Sequence, residues 1–273
     1  MKNIFCLFTI LSLFFFQDSK AEISADFRGA FIQGGLIIGK TSPNARIYNG
    51  AQKIPNSRKG YFLIGLGRNA PSNLTIGIDQ PGEKSKKYNF KIKQRKYKIS
   101  KITGLPERKV TPKKQDSKQI NSDYYEIRKV RKLYSELDGF PSNFVWPVKG
   151  RISDVFGSTR ILNDKPRNPH NGVDIAAPLG TEAVATADGI IRLVNENMFF
   201  TGKTIMIDHG YGLSSIYVHL SKISVKLNQV IKQGQEIGLV GMTGRATGPH
   251  LHWGVSLFEK HIDPELLINM NKY

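Results

Sequence analysis

Residues 203–220 read Lys203-Thr-Ile-Met-Ile-Asp-His-Gly-Tyr-Gly-Leu-Ser-Ser-Ile-Tyr-Val-His-Leu220, two apolar runs joined by a turn that contains two glycines. Runs rich in β-branched and aromatic residues, bounded by glycine, predict a pair of antiparallel strands. Similar runs recur from residue 183 to residue 257, and no long helical period of apolar residues separates them. The C-terminal region, residues 146–273, is therefore predicted to be an antiparallel all-β domain with short loops.

The region that precedes it is predicted to be all-β as well. Short apolar runs such as Gly60-Tyr-Phe-Leu-Ile-Gly65 and Leu74-Thr-Ile-Gly-Ile78 alternate with turn signals that contain Pro, Asn and Gly. Residues 88–99 then alternate apolar and basic side chains, which predicts a strand pair with one basic face. Together these patterns predict a small β-sandwich accessory domain over residues 22–105.

Residues 106–145 are predicted to form a basic linker with one amphipathic helix. Ser122 is a suitable N-cap, and apolar side chains recur after it at intervals of three and four residues up to Leu137. Gly139 and Pro141 are typical of a helix C-terminus. We expect this helix to pack on the C-terminal domain or to tether it.

The charge is concentrated in the middle of the chain. The 273 residues carry a formal net charge of +18, of which residues 84–132 contribute 18 basic and four acidic side chains. A basic surface of this kind could hold an anionic wall polymer or membrane headgroups, or could simply be a solvated face. No recognised nucleic-acid-binding motif is present, so nucleic acid is not an expected partner.

The N-terminus has the three parts of a secretory signal. Lys2 is followed by an apolar run, Ile4 to Phe16, and Ser19 and Ala21 occupy the small-residue positions of a cleavage site. We expect cleavage after Ala21 and export to the periplasm or cell envelope. An uncleaved anchor is the less favoured alternative, because the run is shorter than the ~20 residues of a membrane-spanning helix. The single cysteine, Cys6, would leave with residues 1–21, so no intramolecular disulfide is expected.

Four of the six histidines, with one aspartate, form a candidate metal site. His170 and Asp174 are four residues apart in a segment with Pro and Gly, so an extended chain would place both on one face. His250 and His252 flank Leu251 and would share one face of a strand. His219 lies on the face of its predicted strand that is opposite the aliphatic residues. Neutral imidazole and carboxylate are ligands that zinc accepts.

Each of these positions also has a structural interpretation. A single histidine in a strand usually serves as a hydrogen-bonding residue, and a structural zinc or no metal are the alternatives for the set. Three ligands favour an open catalytic site, since structural zinc typically has four protein ligands. His209 and His261 fit neither pattern and are assigned to structure.

Residues 146–273 resemble the catalytic domain of the M23 zinc metallopeptidases, the lysostaphin- and LytM-type peptidoglycan endopeptidases. The resemblance rests on stretches that occur in family order, which include His170-x-x-x-Asp174, Asp208-His-Gly210, Tyr217-Val-His-Leu220 and Gly244-x-x-Thr-Gly-Pro-His-Leu-His252. Upstream, Gly34-Gly-Leu-Ile-Ile-Gly39 and Gly104-Leu-Pro-x-Arg-Lys-Val110 are similar to the accessory part of M23 proteins from Gram-negative bacteria.

The resemblance implies that His170, Asp174 and His252 bind one Zn²⁺ and that His219 and His250 are the catalytic pair. Which of the two is the base stays open. It also implies a zinc endopeptidase that hydrolyses the peptide cross-links of peptidoglycan, with the D-alanyl–diaminopimelate bond favoured over a glycine-rich bridge. The alternative is a non-catalytic, wall-binding activator of another hydrolase. Degenerate family members of that kind lack ligands, whereas all five positions are occupied here.

Overall fold

The computed structural model describes residues 23–137, 144–268 and 270. The predicted signal peptide, residues 1–21, lies outside the described residues, as do Gly139 and Pro141 of the predicted helix end. The described part consists mainly of antiparallel β-sheet, so the predicted all-β fold class is confirmed. Within these residues, no helix combines the length and the apolar composition that crossing a membrane requires.

The N-terminal region contains seven strands in two antiparallel sheets. They are β1 (Asp26–Gly29), β2 (Leu36–Lys40), β3 (Arg46–Asn49), β4 (Gln52–Ile54), β5 (Tyr61–Gly65), β6 (Asn73–Asp79) and β7 (Lys86–Lys91). The sheet orders are β1-β2-β5 and β4-β3-β6-β7. Ile37 and Phe62 from the first sheet and Ile47 and Ile76 from the second lie in one buried cluster. This is the small sandwich that the sequence predicts.

The basic run stays with the sandwich as far as Lys93, which bridges to Ile32, and then leaves it. Its next strand, β8 (Ile99–Ile102), pairs in parallel with β10 (Thr159–Leu162) of the C-terminal region. The prediction that residues 88–99 form a strand pair of the sandwich is therefore correct for β7 and wrong at residue 99. Gly157 contributes to this change of partner, because its φ is +81° and a Cβ there would lie 2.2 Å from the Tyr97 ring. The two regions are thus packed together at the start of β8.

A short helix, α1 (Glu107–Val110), and a 3-10 turn, Lys114–Asp116, precede the long helix α2 (Ser117–Arg131). The predicted helix start at Ser122 is wrong, because α2 begins at Ser117, and the helix ends at Arg131, before the predicted last turn at Leu137. The turn at Asp116 leads directly into α2, since Asp116 accepts the Lys113 N–H and is paired with Arg108. After α2 the chain is held in an irregular path, because Ser135 Oγ donates to Asp208.

The predicted apolar face of α2 packs on the C-terminal region. Val130 belongs to a buried cluster that contains Met206 and Ile216. Ile127 packs against this cluster, as does Leu133 just beyond the end of the helix. Met206 and Ile216 lie on neighbouring strands of the large sheet, where they are directly paired. The helix therefore covers one face of that sheet, as its amphipathic pattern predicts.

Thirteen strands and a short helix follow in the C-terminal region. They are β9 (Arg151–Asp154), β10, β11 (Lys165–Arg167), β12 (Val173–Ala176), β13 (Glu182–Val184), β14 (Gly189–Met198), β15 (Gly202–Gly210), β16 (Leu213–Leu220), β17 (Lys222–Ile223), β18 (Val230–Ile231), β19 (Glu236–Leu239), β20 (His250–Leu257), β21 (Lys260–Ile262) and α3 (Pro264–Ile268). The six strand runs predicted between residues 183 and 257 each overlap one of these strands.

The large sheet has the order β18-β14-β15-β16-β20-β12-β9, with β21 beside β20, and its pairs are antiparallel. A smaller sheet, β13-β19-β17, packs against its inner face. Tyr217 and Trp253 from the large sheet and Ile237 from the small one are fully buried in the same core. This order makes β16, β20 and β12 immediate neighbours, which decides where their histidines and aspartate meet.

Candidate active site

Three of the predicted residues converge at the end of the large sheet. Asp174 on β12 is the direct cross-strand partner of His252 on β20, and His170 precedes β12. Asp174 Oδ1 lies 2.7 Å from His252 Nδ1 and 3.0 Å from His170 Nε2. The two ring nitrogens are 2.9 Å apart. A single ion could contact all three side chains, as the sequence predicts for the metal ligands.

The second nitrogen of His170 is held by the protein. Its Nδ1 lies 3.1 Å from the Val155 carbonyl oxygen and 3.2 Å from Asp154 Oδ2. A proton on Nδ1 can therefore be donated to these oxygens, which leaves Nε2 directed at Asp174 and His252. Such outer contacts fix the tautomer and orientation of a ligating imidazole.

The charges of this cluster suit a cation. Burial raises the pKa of Asp174, but the adjacent His170 and His252 outweigh it and hold the pKa well below its usual range. Burial lowers the pKa of His252 to about 4, so its ring is neutral at neutral pH. Burial also lowers the pKa of His170, yet the Asp174 and Asp154 carboxylates outweigh it and raise the pKa. The buried Asp174 carboxylate and the half-buried Asp154 carboxylate around these rings attract either protons or a metal ion.

His219 and His250 form the second part of the site. Their ring centroids are 4.8 Å apart, and that of His219 is 6.4 Å from His252. His219 Nδ1 lies 2.7 Å from the Thr243 carbonyl oxygen, and His250 Nδ1 lies 2.8 Å from that of Gly248. A proton on each Nδ1 is thus engaged by a carbonyl, so that Nε2 of each ring is the basic nitrogen.

The backbone of His219 has an unusual conformation. Its φ is +66°, a left-handed conformation that few non-glycine residues adopt. The residue lies at the end of β16, where its N–H donates to the Thr201 carbonyl. Burial, reinforced by His250 and His252, lowers the pKa of His219 to about 3. His219 is therefore a neutral base at neutral pH.

The site opens into a groove of about 380 Å³. Asp174, His219 and His250 line it, together with residues 245–249. The opposite side is lined by residues 100–102 of β8 and by Leu105. The segment that the sequence assigns to the end of the accessory domain therefore forms a wall of the site.

Sequence reasoning missed several residues around the site. Arg160 Nη2 donates to Asp154 Oδ2 at 2.9 Å and to Asp174 Oδ2 at 2.5 Å. Asp154 lies two residues before Phe156-Gly157, a pair that also resembles an M23 motif and is the signal that could have pointed to it. Arg160 and Arg245 have no periodicity or spacing that identifies them.

The remaining two histidines lie outside this cluster. His209 is buried, with Nδ1 2.7 Å from the Asp188 carbonyl oxygen and Nε2 2.7 Å from Ser215 Oγ. His261 Nδ1 lies 3.2 Å from Ser256 Oγ. These contacts fit the structural assignment of both residues.

Comparison with known proteins identifies the C-terminal region. The model of peptidase family M23 matches residues 168–264, which include all five predicted site residues. The chain is 44% identical over 111 residues to the peptidoglycan DD-endopeptidase ShyA of Vibrio cholerae, a match that covers 40% of this chain and 26% of ShyA. It is 36% identical over 135 residues to ShyB of the same organism, with 49% of this chain and 28% of ShyB covered.

These matches span less than a third of the length of the two Vibrio relatives. A solved structure covers much more of the molecule. The crystal structure of a Pseudomonas aeruginosa protein assigned to peptidase M23 superposes with a TM-score of 0.65 at 29% identity. It covers 88% of this chain and 95% of that protein. With the five residues in one groove, residues 168–264 match a peptidase M23 domain, and the described fold is similar to that of the Pseudomonas protein.

Proposed function

We propose that this protein is a zinc metalloendopeptidase that hydrolyses the peptide cross-links of bacterial peptidoglycan. The observation that carries the proposal is the convergence of His170, Asp174 and His252 beside the pair His219 and His250 in one groove. The names of ShyA and ShyB, both peptidoglycan DD-endopeptidases, support the substrate class. The complete set of five residues favours hydrolysis over the role of a non-catalytic activator.

His170, Asp174 and His252 would hold the metal. Two imidazoles and one carboxylate form a ligand set that zinc accepts, and three protein ligands are typical of a catalytic site with an open fourth position. When bound, zinc supplies Lewis-acid polarisation of the scissile carbonyl and lowers the pKa of water to ~7. Asp154 holds His170 in the ligating tautomer through its contact with Nδ1.

His219 and His250 would carry out the proton transfers. A backbone carbonyl engages Nδ1 of each ring. Nε2 is therefore the nitrogen of each ring that is available in the groove that both residues line. One ring accepts the proton of the attacking water at its free Nε2. The other ring, in its imidazolium form with a proton on both nitrogens, donates from Nε2 to the oxygen that becomes negatively charged at the scissile carbonyl. The proton accepted in the first step is then available for the departing amine.

The finer assignments form part of the same proposal. We place the cleaved bond between D-alanine and diaminopimelate, and the site of action in the periplasm after cleavage of the signal at Ala21. The division into an accessory domain (22–105), a linker (106–145) and a peptidase domain (146–273) is also proposed. Exposed lysines such as Lys91, Lys93 and Lys96 make residues 84–132 a candidate contact for an anionic wall or membrane surface.

Digestion of defined cross-linked muropeptide dimers tests the proposal. The purified, zinc-loaded protein should convert the D-alanyl–diaminopimelate dimer to monomers, identified by mass, and leave a glycine-bridged dimer intact. His170→Ala should lose both metal uptake and hydrolysis, with a fall in rate of about 10³-fold or more, because the variant cannot hold the ion that polarises the carbonyl.

Two results would contradict the proposal. Binding to purified wall without any hydrolysis, combined with stimulation of a second hydrolase, would favour the activator. Equal turnover by wild-type protein and His170→Ala would remove the metal from the mechanism.

A further inference from the structure

Arg245 lies in the loop between β19 and β20 and lines the groove together with His219 and His250. Its backbone N–H donates to the Phe200 carbonyl at 2.8 Å. Its guanidinium stacks on the Phe200 ring, with 4.6 Å between Cζ and the ring centroid. Two contacts with one residue therefore fix the guanidinium at the rim of the site.

Among the residues that the structure describes, this guanidinium has no ion-pair partner. Within the part of the chain that the structure describes, no carboxylate lies within ion-pair distance of Arg245. Burial, together with the positive charges of Arg160 and Arg167, lowers the pKa of Arg245 to about 10. The side chain is nevertheless charged at neutral pH. A partly buried charge without a counter-ion is costly, and an anionic ligand would offset that cost.

The other charges of the groove leave Arg245 available. Asp154 and Asp174 are the only acidic residues in its lining, and both accept hydrogen bonds from Arg160. Lys101 and Arg151 add two more positive charges to the same lining. The groove therefore has a surplus of cations that its own carboxylates do not neutralise.

We propose that Arg245 binds a free carboxylate of the substrate peptide close to the scissile bond. This inference rests on the proposed function and narrows its substrate to acidic peptides. A planar guanidinium held on an aromatic ring presents its N–H donors as a fixed fork, which matches the two oxygens of a carboxylate. A cross-link that carries the carboxylate of a diamino acid satisfies this site, whereas a bridge made of glycine alone does not.

The test compares two dimeric substrates that differ only in whether the diaminopimelate carboxylate is free or amidated. Wild-type protein should cleave the free acid with a kcat/KM about tenfold or more above that of the amide. Arg245→Gln should lower kcat/KM for the acid by about 10- to 100-fold and leave the amide nearly unchanged. Arg245→Lys should keep part of the preference. Arg28→Gln, at an exposed residue of β1 outside the groove lining, is the matched control.

A binding measurement separates this inference from the proposed function. The same acid and amide are made as analogues in which a reduced, non-hydrolysable bond replaces the scissile amide, and their Kd values are measured by calorimetry. If wild-type protein binds the acid more tightly but cleaves neither dimer, the proposed function fails and the carboxylate site stands. Equal effects of Arg245→Gln on acid and amide, or no preference in wild-type protein, would overturn the role of Arg245.

Discussion

The N-terminal sandwich and the C-terminal region are built from the same kind of strand but bury different side chains. The sandwich core contains aliphatic and aromatic residues such as Ile47, Phe62 and Ile76. The C-terminal region also buries His170, Asp174 and other ionisable groups. Because burial of such groups costs free energy unless each is paired, their concentration in one region marks that region as the site of the chemistry.

The largest expected effect concerns His219, one of the two histidines proposed to transfer protons in the C-terminal region. His219→Asn should keep the bound metal but lower kcat for cross-link hydrolysis by about 10²- to 10⁴-fold, because the variant cannot transfer a proton. Asparagine is chosen because it tolerates the left-handed backbone at this position better than alanine does. Metal content is measured by elemental analysis, and kcat by release of monomers.

A matched histidine provides the control for this variant. His261→Asn lies outside the groove lining and should retain the wild-type rate. A full rate in His219→Asn would show that proton transfer does not depend on this residue.

A substitution in the sandwich core should lower the stability of the protein and leave the metal site unchanged. Ile76→Ala removes a fully buried side chain from its core, so the free energy of unfolding should fall by about 2–5 kcal/mol. Zinc affinity should stay unchanged, since none of the described metal ligands or groove-lining residues belongs to that cluster. Denaturant unfolding and zinc titration measure the two quantities. If Ile76→Ala also lost zinc affinity at denaturant concentrations below its unfolding midpoint, the two regions would be coupled more closely than their packing indicates.

The smallest effect concerns a buried histidine that is not part of the site. Burial lowers the pKa of His209 to about 4, whereas an unfolded histidine titrates near ~6.5. The unfolded chain therefore takes up the proton first, and stability is lost as the pH falls from about 6.5 towards 4. The loss should amount to roughly 2 kcal/mol between pH 7 and pH 5.

His209→Gln should remove this part of the pH dependence, which is measured as the difference between the variant and wild-type unfolding curves. An unchanged slope in the variant would assign the pH dependence to other groups.

The strands and the five site residues follow from local patterns. Alternating or continuous apolar runs closed by glycine predicted strands such as β15 and β16, because strand formation depends on neighbours in the chain. The spacing of His170 and Asp174, and of His250 and His252, already places each pair on one face of an extended chain. The five residues meet because β16, β20 and β12 are neighbours in the sheet. The sequence indicates that strand order only through the family resemblance.

What the sequence does not show depends on contacts between distant segments. β8 pairs with β10 because of tertiary packing around Tyr97 and Gly157, which no local pattern encodes. The ends of α2 depend on Asp116 and on the contact between Ser135 and Asp208. Arg245 becomes recognisable only when the structure shows its aromatic neighbour Phe200 and no ion-pair partner for it among the described residues.

The central claim is that hydrolysis depends on one metal ion held by His170, Asp174 and His252. The most direct measurement adds zinc back to chelated protein and follows the rate of cleavage of a cross-linked muropeptide dimer. We predict no cleavage without metal, a rate that rises to a plateau at one equivalent, and no recovery in His170→Ala. Cleavage at the full rate by the metal-free protein would contradict the account.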